Sequence, residues 1–333
     1  MLRYIVKRLL QLIPTLVGLS VLLFAWLRLL PGGPENALLP DNATREQREA
    51  LRQSMGLNEP LHVQYGIFVK KLMQGDLGTT LDGRPVATEL AERFPATIEL
   101  AFTAMLIAVC VGIPLGYLAA RRRGSALDVG AVTGSLVGIC IPVFFLAFIL
   151  KLFFAVKWNL LPDSSRLTTG LDYTDVTGFR VLDGLITGEL AIASDALAHL
   201  ILPGLALSSI PVAVITRMTR ASVLEVLGED YVRTAESKGL KARVIRTRHV
   251  LRNAMLPVIT AIGLLSGALL AGAVLTESVF AFGGLGSFVY QSTQNRDYEA
   301  IMGCILLIAT VYVLVNLLVD LSYTLFDPRV RVR

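Results

Sequence analysis

Six long apolar runs, separated by polar stretches, constrain the fold of this chain more than any other feature of its sequence. The runs lie roughly at 9–30, 98–120, 128–156, 196–219, 256–280 and 300–326. A helix that crosses a bilayer needs about 20 mainly apolar residues, and each run is at least that long. A single run could be a buried helix of a soluble protein. Six in a chain with only 17% charged residues predict an all-helical integral membrane protein with six transmembrane helices.

The charged residues predict which ends of the spans face the cytoplasm. Lys and Arg strongly outnumber Asp and Glu in residues 1–8, 121–128, 217–252 and 327–333, whereas acidic residues are in excess on the opposite side. Because an excess of Lys and Arg near the spans marks the cytoplasmic side, we expect both termini and the 220–255 loop in the cytoplasm. The formal net charge of +5 is therefore a topology signal and gives no reason to predict nucleic-acid binding.

The two long segments on the opposite side differ in kind. Residues 35–95 are predicted to form a small external helical insertion after the first span. In it, Thr44 and Gln47 make a capping-box pattern at the start of a helix, and Gly56 marks the end of that helix. Residues 158–195, rich in Thr, Asp and Gly, are instead expected to form an irregular loop with a short helix or hairpin.

The most unusual polar segment is the charged, basic stretch at 229–257, which lies between two apolar runs. A short helix is predicted at 230–238, ending at Gly239, because glycine tolerates the left-handed conformation after a helix end. A second helix is predicted at 241–253. Connections between helices are usually short, so this longer helical elbow is interpreted as a surface for another protein. Small Ala235 and Gly239 at its bend are predicted to let that partner pack closely.

Residues 229–257 resemble the cytoplasmic loop of ABC importer permeases, in which a coupling helix docks into the ATPase subunit. The general signature of that loop is Glu-Ala-Ala, three residues, Gly, and a run that ends in Leu-Pro. Its positions fall here on Arg233, Thr234, Ala235, Gly239, Leu256 and Pro257. The first two signature residues are replaced, and the interval before Leu-Pro is longer. Both departures match the dipeptide/oligopeptide permease subfamily.

The resemblance to this subfamily extends over nearly the whole chain. It is carried by LPGGP at 30–34, GDLGTT at 75–80, RFPATIELA at 93–101, LTESVFAFGGLG at 275–286 and DPRVR at 327–331. It implies a type I ABC importer permease fold and a function as half of a translocation pathway for di- or oligopeptides that works by alternating access. Nickel chelates, glutathione and haem remain alternative substrates, because related permeases carry them.

The resemblance also implies the partners and the location. The partners are a second homologous permease subunit, two ATPase domains or one fused ATPase chain, and an extracytoplasmic substrate-binding protein. The location is a bacterial or archaeal cytoplasmic membrane. ATP and Mg would be bound by the ATPase subunits, so no cofactor and no metal are expected in this chain.

Two groups of site residues follow from the resemblance and from the position of polar residues. The ATPase-coupling group lies on the predicted short helix and its end: Asp230, Tyr231, Thr234, Ala235, Glu236, Lys238 and Gly239. The pathway or gate group lies in the fifth run: Gly263, Ser266, Thr276, Glu277 and Phe280. Charged residues are costly in a membrane, so Glu277 has either a gating role or a structural role at the interface. The small residues of this run serve helix packing, the pathway, or both.

Missing motifs argue against an enzyme. The sequence contains no G-x-x-x-x-G-K-[ST], H-E-x-x-H or G-x-S-x-G pattern, so neither ATP hydrolysis nor hydrolase chemistry is predicted. A secondary transporter would need internal repeats and a midplane carboxylate or broken helices, and no convincing repeat is present. The His and Cys residues are isolated and predict neither a metal site nor a disulfide: His62, His199, His249, Cys110, Cys140 and Cys304.

Overall fold

A computed structural model of the protein describes residues 2–29, 43–54 and 56–326. Within these residues the chain consists of helices joined by turns and loops. The prediction of an all-helical protein is therefore confirmed. The sequence motifs predicted at 30–34 and 327–331 lie outside the described residues.

Thirteen helices of the described chain are numbered here in chain order. They are α1 Leu2–Leu29, α2 Arg45–Ser54, α3 Leu61–Met73, α4 Val86–Arg121, α5 Ala126–Cys140, α6 Val143–Leu150, α7 Arg180–Ile186, α8 Leu190–Leu227, α9 Asp230–Ser237, α10 Arg252–Gly272, α11 Val274–Val279, α12 Leu285–Asn295 and α13 Tyr298–Phe326. Two π-helical turns adjoin these helices without a break: Lys151–Lys157 follows α6, and Ile245–Leu251 connects a further three-residue helix, Ala242–Val244, to α10.

The chain divides into two compact units, and each is described by itself. The first unit holds Met1–Phe94 and Ser287–Val313. The second unit holds Pro95–Gly286 and Leu314–Arg333.

In the first unit, the end of α1 is fastened to α3 by aromatic and polar contacts. The ring of Phe24 contacts Tyr65, with centroids 5.2 Å apart, and Phe68, with centroids 5.9 Å apart. Arg28 Nε donates a hydrogen bond of 2.9 Å to Gln64 Oε1. These contacts hold α3 against the end of α1.

The predicted start of α2 is confirmed in detail. The backbone N–H of Gln47 donates to Thr44 Oγ1 at 3.3 Å, and the N–H of Thr44 donates to Gln47 Oε1 at 2.9 Å. This reciprocal pair is the capping box that the sequence predicts. Gly56, which follows α2, adopts a positive φ of 67°, as expected after a helix end.

Four helices are long and apolar enough to cross a membrane by themselves. They are Val86–Arg121, Leu190–Leu227, Ala242–Leu270 and Tyr298–Leu318. In α1 only the shorter stretch Ile13–Trp26 is strongly apolar. The described residues therefore contain four such spans, or five if one bent pair of helices is a single span. The count of six stays a prediction.

The region predicted as one span at 128–156 is a bent pair of helices, and its status as a single span stays a prediction. Here α5 and α6 meet at an angle of 101°. Ile141 is extended, with φ −79° and ψ 122°, and Pro142 begins the next helix. The proline ring disfavours a helical conformation for the residue before it, which breaks the helix at this point. The Ile141-Pro142 pair in the sequence was the signal for this break.

The second helix predicted for the elbow, at 241–253, is also longer than expected. It begins at Ala242, passes through the π-helical turn and continues through Pro257 to Gly272. A proline inside a helix of this kind is tolerated because neighbouring helices and local π-type adjustments compensate for the missing hydrogen bond. The basic part and the fifth apolar run are thus one element.

In the second unit, α4 and α8 approach each other very closely. A Cβ atom at Gly112 would lie 2.9 Å from the side chain of Ile215, and one at Gly116 would lie 2.4 Å from the carbonyl oxygen of Thr216. Only glycine fits at such distances. Gly112 and Gly116 have the small-xxx-small spacing that lets membrane helices pack backbone to backbone.

The segment between α6 and α8 is an irregular loop that contains one short helix, α7, as predicted. Asp183 in α7 organises this loop: its carboxylate accepts hydrogen bonds from Thr177 Oγ1 at 2.6 Å, Thr177 N–H at 2.8 Å and Gly178 N–H at 3.1 Å. Burial raises the pKa of Asp183, but these hydrogen bonds lower it by more, so its pKa lies below the ordinary value.

Candidate functional site

The first candidate site is the elbow around α9. The helix runs from Asp230 to Ser237, and Gly239 follows with φ 70°, so the predicted helix and its glycine end are both present. Val232 anchors the helix in a buried cluster with Val223 of α8 and Val250. Ala120 of α4 and Ala254 of α10 complete this cluster. The short helix is thus fastened to the ends of three long helices at once.

The predicted coupling residues divide between two faces of α9. Ala235 is only 4% exposed and lies on the inner face with Val232, three residues earlier. This spacing is the helical period that creates a buried face. The Ala235 side chain is thus enclosed by its own chain, and its predicted role in close packing of a partner stays a prediction.

The outer face of α9 carries the remaining coupling residues. The side chains of Asp230 and Arg233 are 98% and 72% exposed. Besides Asp230, five members of the predicted group are exposed: Tyr231, Thr234, Glu236, Lys238 and Gly239. This polar face has few contacts with its own chain and is the part of the elbow that another protein can reach.

Tyr231 connects α9 to the helix that follows the bend. Its hydroxyl accepts a hydrogen bond of 2.9 Å from Asn253 Nδ2 and lies 3.4 Å from the carbonyl oxygen of His249, to which it donates. Asn253 Nδ2 also donates to that carbonyl at 3.0 Å. The tyrosine therefore fixes the angle of the elbow at its outer edge.

A pair of charged residues near the elbow was missed by the sequence analysis. Arg220 of α8 makes two hydrogen bonds to Asp128 of α5, from Nε at 2.5 Å and from Nη2 at 2.9 Å. Asp128 also accepts from the N–H of Gly124, and its own N–H donates to Ser125. Bidentate pairs of this kind are strong and directional. The available signal was the Ser-x-x-Asp pattern at the start of α5, which predicts a capped helix.

The second candidate site is the clamped segment, defined as residues 274–286. Glu277 in it is fully buried, and its Oε1 accepts a hydrogen bond of 2.6 Å from Thr97 Oγ1. The same hydroxyl accepts from the N–H of Leu285 at 2.8 Å. A Cβ atom at Gly284 would lie 2.6 Å from the Glu277 carboxyl group. The glycines after α11 therefore make room for a buried carboxylate, a role that the sequence analysis did not predict.

Side chains and backbone from two other elements also hold the clamped segment. Lys151 Nζ, at the start of the π-helical turn, donates to the carbonyl oxygen of Val279 at 3.0 Å. The N–H of Ser165 donates to the carbonyl oxygen of Phe280 at 2.9 Å. Both carbonyls are at the end of α11, where a helix leaves acceptors without intrahelical donors.

Arg166 provides a third contact to the clamped segment. It lies in the 158–189 loop, the irregular loop that ends at the start of α8. Its Nη2 donates to Glu99 Oε2 at 2.8 Å and to the carbonyl oxygen of Gly178 at 2.8 Å. Its guanidinium carbon is 5.9 Å from the ring centre of Phe282, which is within cation–π range. The loop and the clamped segment are thereby joined to α4 through one arginine.

The predicted pathway residues fall into two groups. Thr276, Glu277 and Phe280 are at most 2% exposed and lie together in the clamped segment. Gly263 is buried and Ser266 is half-buried, further back along α10, and the Ser266 hydroxyl donates to Ile262 of its own helix. The enclosure of Glu277 favours the structural role left open by the sequence. The pathway role of these five residues stays a prediction.

These features define a multi-pass helical membrane protein with a short helical elbow outside its long helices. Residues 112–332 match the family model of the binding-protein-dependent transport system inner membrane component, and residues 1–101 match the model of the N-terminal part of such membrane components. The chain belongs to this family, and the predicted membership of the ABC importer permeases is confirmed.

Curated relatives match along the whole chain. The dipeptide transport system permease protein DppB of Escherichia coli K12 is 46% identical over 336 residues, which cover 99% of each chain. The di/tripeptide transport system permease protein DppB of Pseudomonas aeruginosa UCBPP-PA14 is 45% identical over 334 residues, again 99% of each chain. The dipeptide permease of Alkalihalophilus pseudofirmus is 41% identical over 332 residues, 99% of this chain and all of the relative.

A solved structure shows the same fold. The inward-facing MetNI methionine ABC transporter matches with a TM-score of 0.50 and 16% identity, over 70% of this chain and 93% of the matched chain. At this identity the likeness concerns the fold alone. It confirms the expectation of an ABC importer permease fold.

Proposed function

We propose that this chain is the transmembrane permease subunit of an ATP-driven importer and forms half of a translocation pathway for di- or oligopeptides. The observation that carries the proposal is the full-length identity of 46% to a dipeptide permease. The elbow supports it independently, because α9 has one buried face for anchorage and one exposed polar face for a partner. Catalysis of ATP hydrolysis belongs to the partner ATPases, which bind ATP and Mg.

The contacts supply a route by which ATPase movement reaches the clamped segment. A displacement of α9 by the ATPase is transmitted to the end of α8, because Val232 packs against Val223. The Arg220–Asp128 pair then connects α8 to α5. From α5 the bent pair leads to Lys151, which binds the carbonyl oxygen of Val279. Apart from the covalent bend between α5 and α6, each step is a packed or hydrogen-bonded contact between helices, which is the kind of contact that transmits conformational change.

The proposal includes the partners and the orientation. The chain pairs with a second, homologous permease, receives substrate from an extracytoplasmic binding protein, and has both termini and the elbow on the cytoplasmic side of a bacterial or archaeal membrane. The Lys and Arg excess of the elbow supports this orientation.

Labelling in intact cells tests the orientation. Asp172→Cys and Lys241→Cys both replace exposed residues, in the 158–189 loop and in the elbow. We expect an impermeant maleimide to label the cysteine at position 172 from outside and the cysteine at position 241 only after the cells are opened. Labelling of position 241 in intact cells would reverse the orientation.

Disruption of the exposed face of α9 tests the coupling. Thr234 is exposed, and its hydroxyl donates only to the carbonyl oxygen of Asp230 in its own helix. Thr234→Arg therefore leaves the buried face intact, and we expect it to abolish co-purification of the ATPase and ATP-driven peptide uptake in proteoliposomes. The matched control is Thr293→Arg, because Thr293 is exposed and makes the same kind of bond, to Val289.

The outcomes separate coupling from folding and from substrate choice. The Thr293→Arg control should retain the ATPase, and both variants should be present in the membrane at the normal level. Normal ATPase association and uptake in Thr234→Arg would show that α9 is not the coupling element. If the intact transporter couples normally but carries nickel chelates, glutathione or haem instead of peptides, the permease assignment stands and the peptide substrate is wrong.

A further inference from the structure

The first unit contains an apolar trough that no part of the proposed transport mechanism uses. It has a volume of about 450 Å³, within the range of about 300–1,000 Å³ typical of small-molecule sites. Its walls come from α1, α4 and α13, including Leu16, Leu90, Phe94 and Leu306. Leu16 and Leu306 belong to the apolar runs at 9–30 and 300–326 that are predicted to cross the membrane, whereas Leu90 and Phe94 precede the apolar run of α4.

A smaller, charged cavity adjoins one end of this trough. Its volume is about 110 Å³. Leu72, Leu77 and Leu306 line both cavities, so the two lie side by side. Charged groups of both signs line the smaller cavity: Arg28, Lys71, Asp76 and Glu299.

Two of these charged groups are held in place by their neighbours. Arg28 donates to Gln64 and lies over the ring of Phe24, with its guanidinium carbon 3.4 Å from the ring centre. Glu299 Oε2 accepts a hydrogen bond of 2.6 Å from the N–H of Thr79. The charged end is thus a preformed site, with positions fixed by α3, α13 and the turn before α4.

The distance along α1 between the two cavities is close to the thickness of one leaflet of a bilayer. Leu16 in the trough and Arg28 in the charged cavity are twelve residues apart on α1, which is about 18 Å at 1.5 Å per helical residue. One leaflet contributes about 15 Å to the hydrocarbon core. An apolar trough that ends in a charged pocket after this distance has the shape of a phospholipid, with an acyl chain and a head group.

We propose that this cavity binds a phospholipid with a zwitterionic head group, such as phosphatidylethanolamine. One acyl chain fills the trough between α1, α4 and α13. The phosphate lies against Arg28 and Lys71, and the ammonium group lies against Asp76 and Glu299. The pairing of two cationic with two anionic side chains argues for a zwitterionic lipid, because an anionic lipid is favoured by an excess of Lys and Arg.

Photo-crosslinking tests the trough. The full transporter complex is prepared in vesicles that contain phosphatidylethanolamine with a diazirine on the acyl chain, and the labelled peptides are mapped by mass spectrometry. We expect labelling at residues 87–94 and 306–310. Ala91→Trp fills the trough at an exposed position on α4 and should remove most of this labelling. Leu106→Trp, at a position of the same helix that is 51% exposed, is the control and should leave it unchanged.

Native mass spectrometry tests the head group. We expect phosphatidylethanolamine to be retained in preference to phosphatidylglycerol, and Lys71→Met to weaken the retention. The neighbouring exposed residue supplies the control, Lys70→Met, because Lys70 does not line the cavity. Undiminished labelling in Ala91→Trp, no preference between the two lipids, or equal effects of the two lysine variants would each overturn the proposal. A disulfide between a cysteine introduced in Ala91→Cys and the second permease would also overturn it, because the partner would then cover the trough.

Discussion

The helix α9 and the clamped segment at 274–286 are both short turns of helix beside long membrane helices, but they are held in opposite ways. The helix α9 contacts its own chain through one face, where Val232 and Ala235 are buried. In the clamped segment, Glu277 and Phe280 are both at most 2% exposed. It also receives hydrogen bonds from three elements that are distant in sequence.

This difference indicates what each region can do. The exposed face of α9 is available to another protein without any rearrangement of this chain. The clamped segment can move only if hydrogen bonds within the chain are broken, because buried polar groups are costly when they lose their partners. A movement of the clamped segment therefore needs a source of free energy, which the proposed coupling to ATP supplies.

The largest expected effect is a loss of stability in Gly286→Ala, which we compare with the same kind of substitution, Gly239→Ala, after α9. In Gly286→Ala the new Cβ would lie 2.6 Å from the Val274 Cα and 2.9 Å from its N, and backbone atoms cannot yield cheaply. Overpacking of this kind costs about 1–3 kcal/mol or more. Gly239→Ala meets no atom within 4 Å and has only the strain of φ 70°, about 1–2 kcal/mol. Thermal unfolding in detergent should show the larger loss for Gly286→Ala.

The two glycine variants should also differ in the property that they impair. Gly286→Ala should lower the unfolding temperature of the whole chain, whereas Gly239→Ala should mainly impair ATPase association. Equal unfolding temperatures for the two variants would show that the clamped segment is no more tightly held than the elbow.

A smaller effect is expected when one hydroxyl is removed from the clamp. Thr97→Val deletes the donor to Glu277 Oε1 and the acceptor for the Leu285 N–H. Leaving buried polar groups without a partner costs about 1–3 kcal/mol. Thr103→Val is the control, because that hydroxyl bonds only to the Glu99 carbonyl of its own helix. Unfolding midpoints that are the same for both variants would contradict the role given to Thr97.

The sequence predicted the elbow well because its determinants are local. A helix at 230–238, a glycine end and a basic second helix are all encoded within a few residues, and the family signature overlaps them. The orientation of Ala235 was also within reach, since Val232 and Ala235 have helical spacing. The sequence analysis related this small side chain to a partner, and the structure shows that it also belongs to the core of the elbow.

The clamped segment was not predictable in the same way because its contacts join distant parts of the chain. Thr97 and Glu277 are separated by 180 residues, and Lys151 and Val279 by 128. No local pattern indicates which threonine or lysine reaches a buried carboxylate or carbonyl. The bend at Ile141-Pro142 was partly predictable. The Ile-Pro pair is a local signal for a helix break, but the length of the apolar run favoured one span.

A pH-dependent effect is expected on the loop that contributes to the clamp. The pKa of Asp183 is lower in the folded protein than its ordinary value of 3.8. Such a group stabilises the folded state at pH values above its unfolded pKa, and this contribution is lost as the pH falls through the folded pKa. We expect amide hydrogen exchange in the 158–189 loop, corrected for its intrinsic rate, to rise as the pH drops below 3.8.

The control for this effect is Asp183→Asn, which has no carboxylate to protonate. It should exchange faster than the wild type at neutral pH and lose the acid-dependent step. Exchange at the inner face of α9 should not show this step, because Val232 and Ala235 are apolar. An unchanged acid step in Asp183→Asn would assign the effect to a different group.

The smallest effect is expected at the outer edge of the elbow. Tyr231→Phe removes the hydroxyl that accepts from Asn253 and donates to the His249 carbonyl. A neutral hydrogen bond contributes about 0.5–1.5 kcal/mol, and Tyr231 is 39% exposed, so water replaces part of it. We expect faster hydrogen exchange at 230–237 with no change in the unfolding midpoint.

Asn253→Ala should do the same, and the double variant should add little, because the two residues share one interaction. Strictly additive effects would show that Tyr231 and Asn253 act separately. A lowered midpoint would show instead that the elbow is as integral to the fold as the clamped segment.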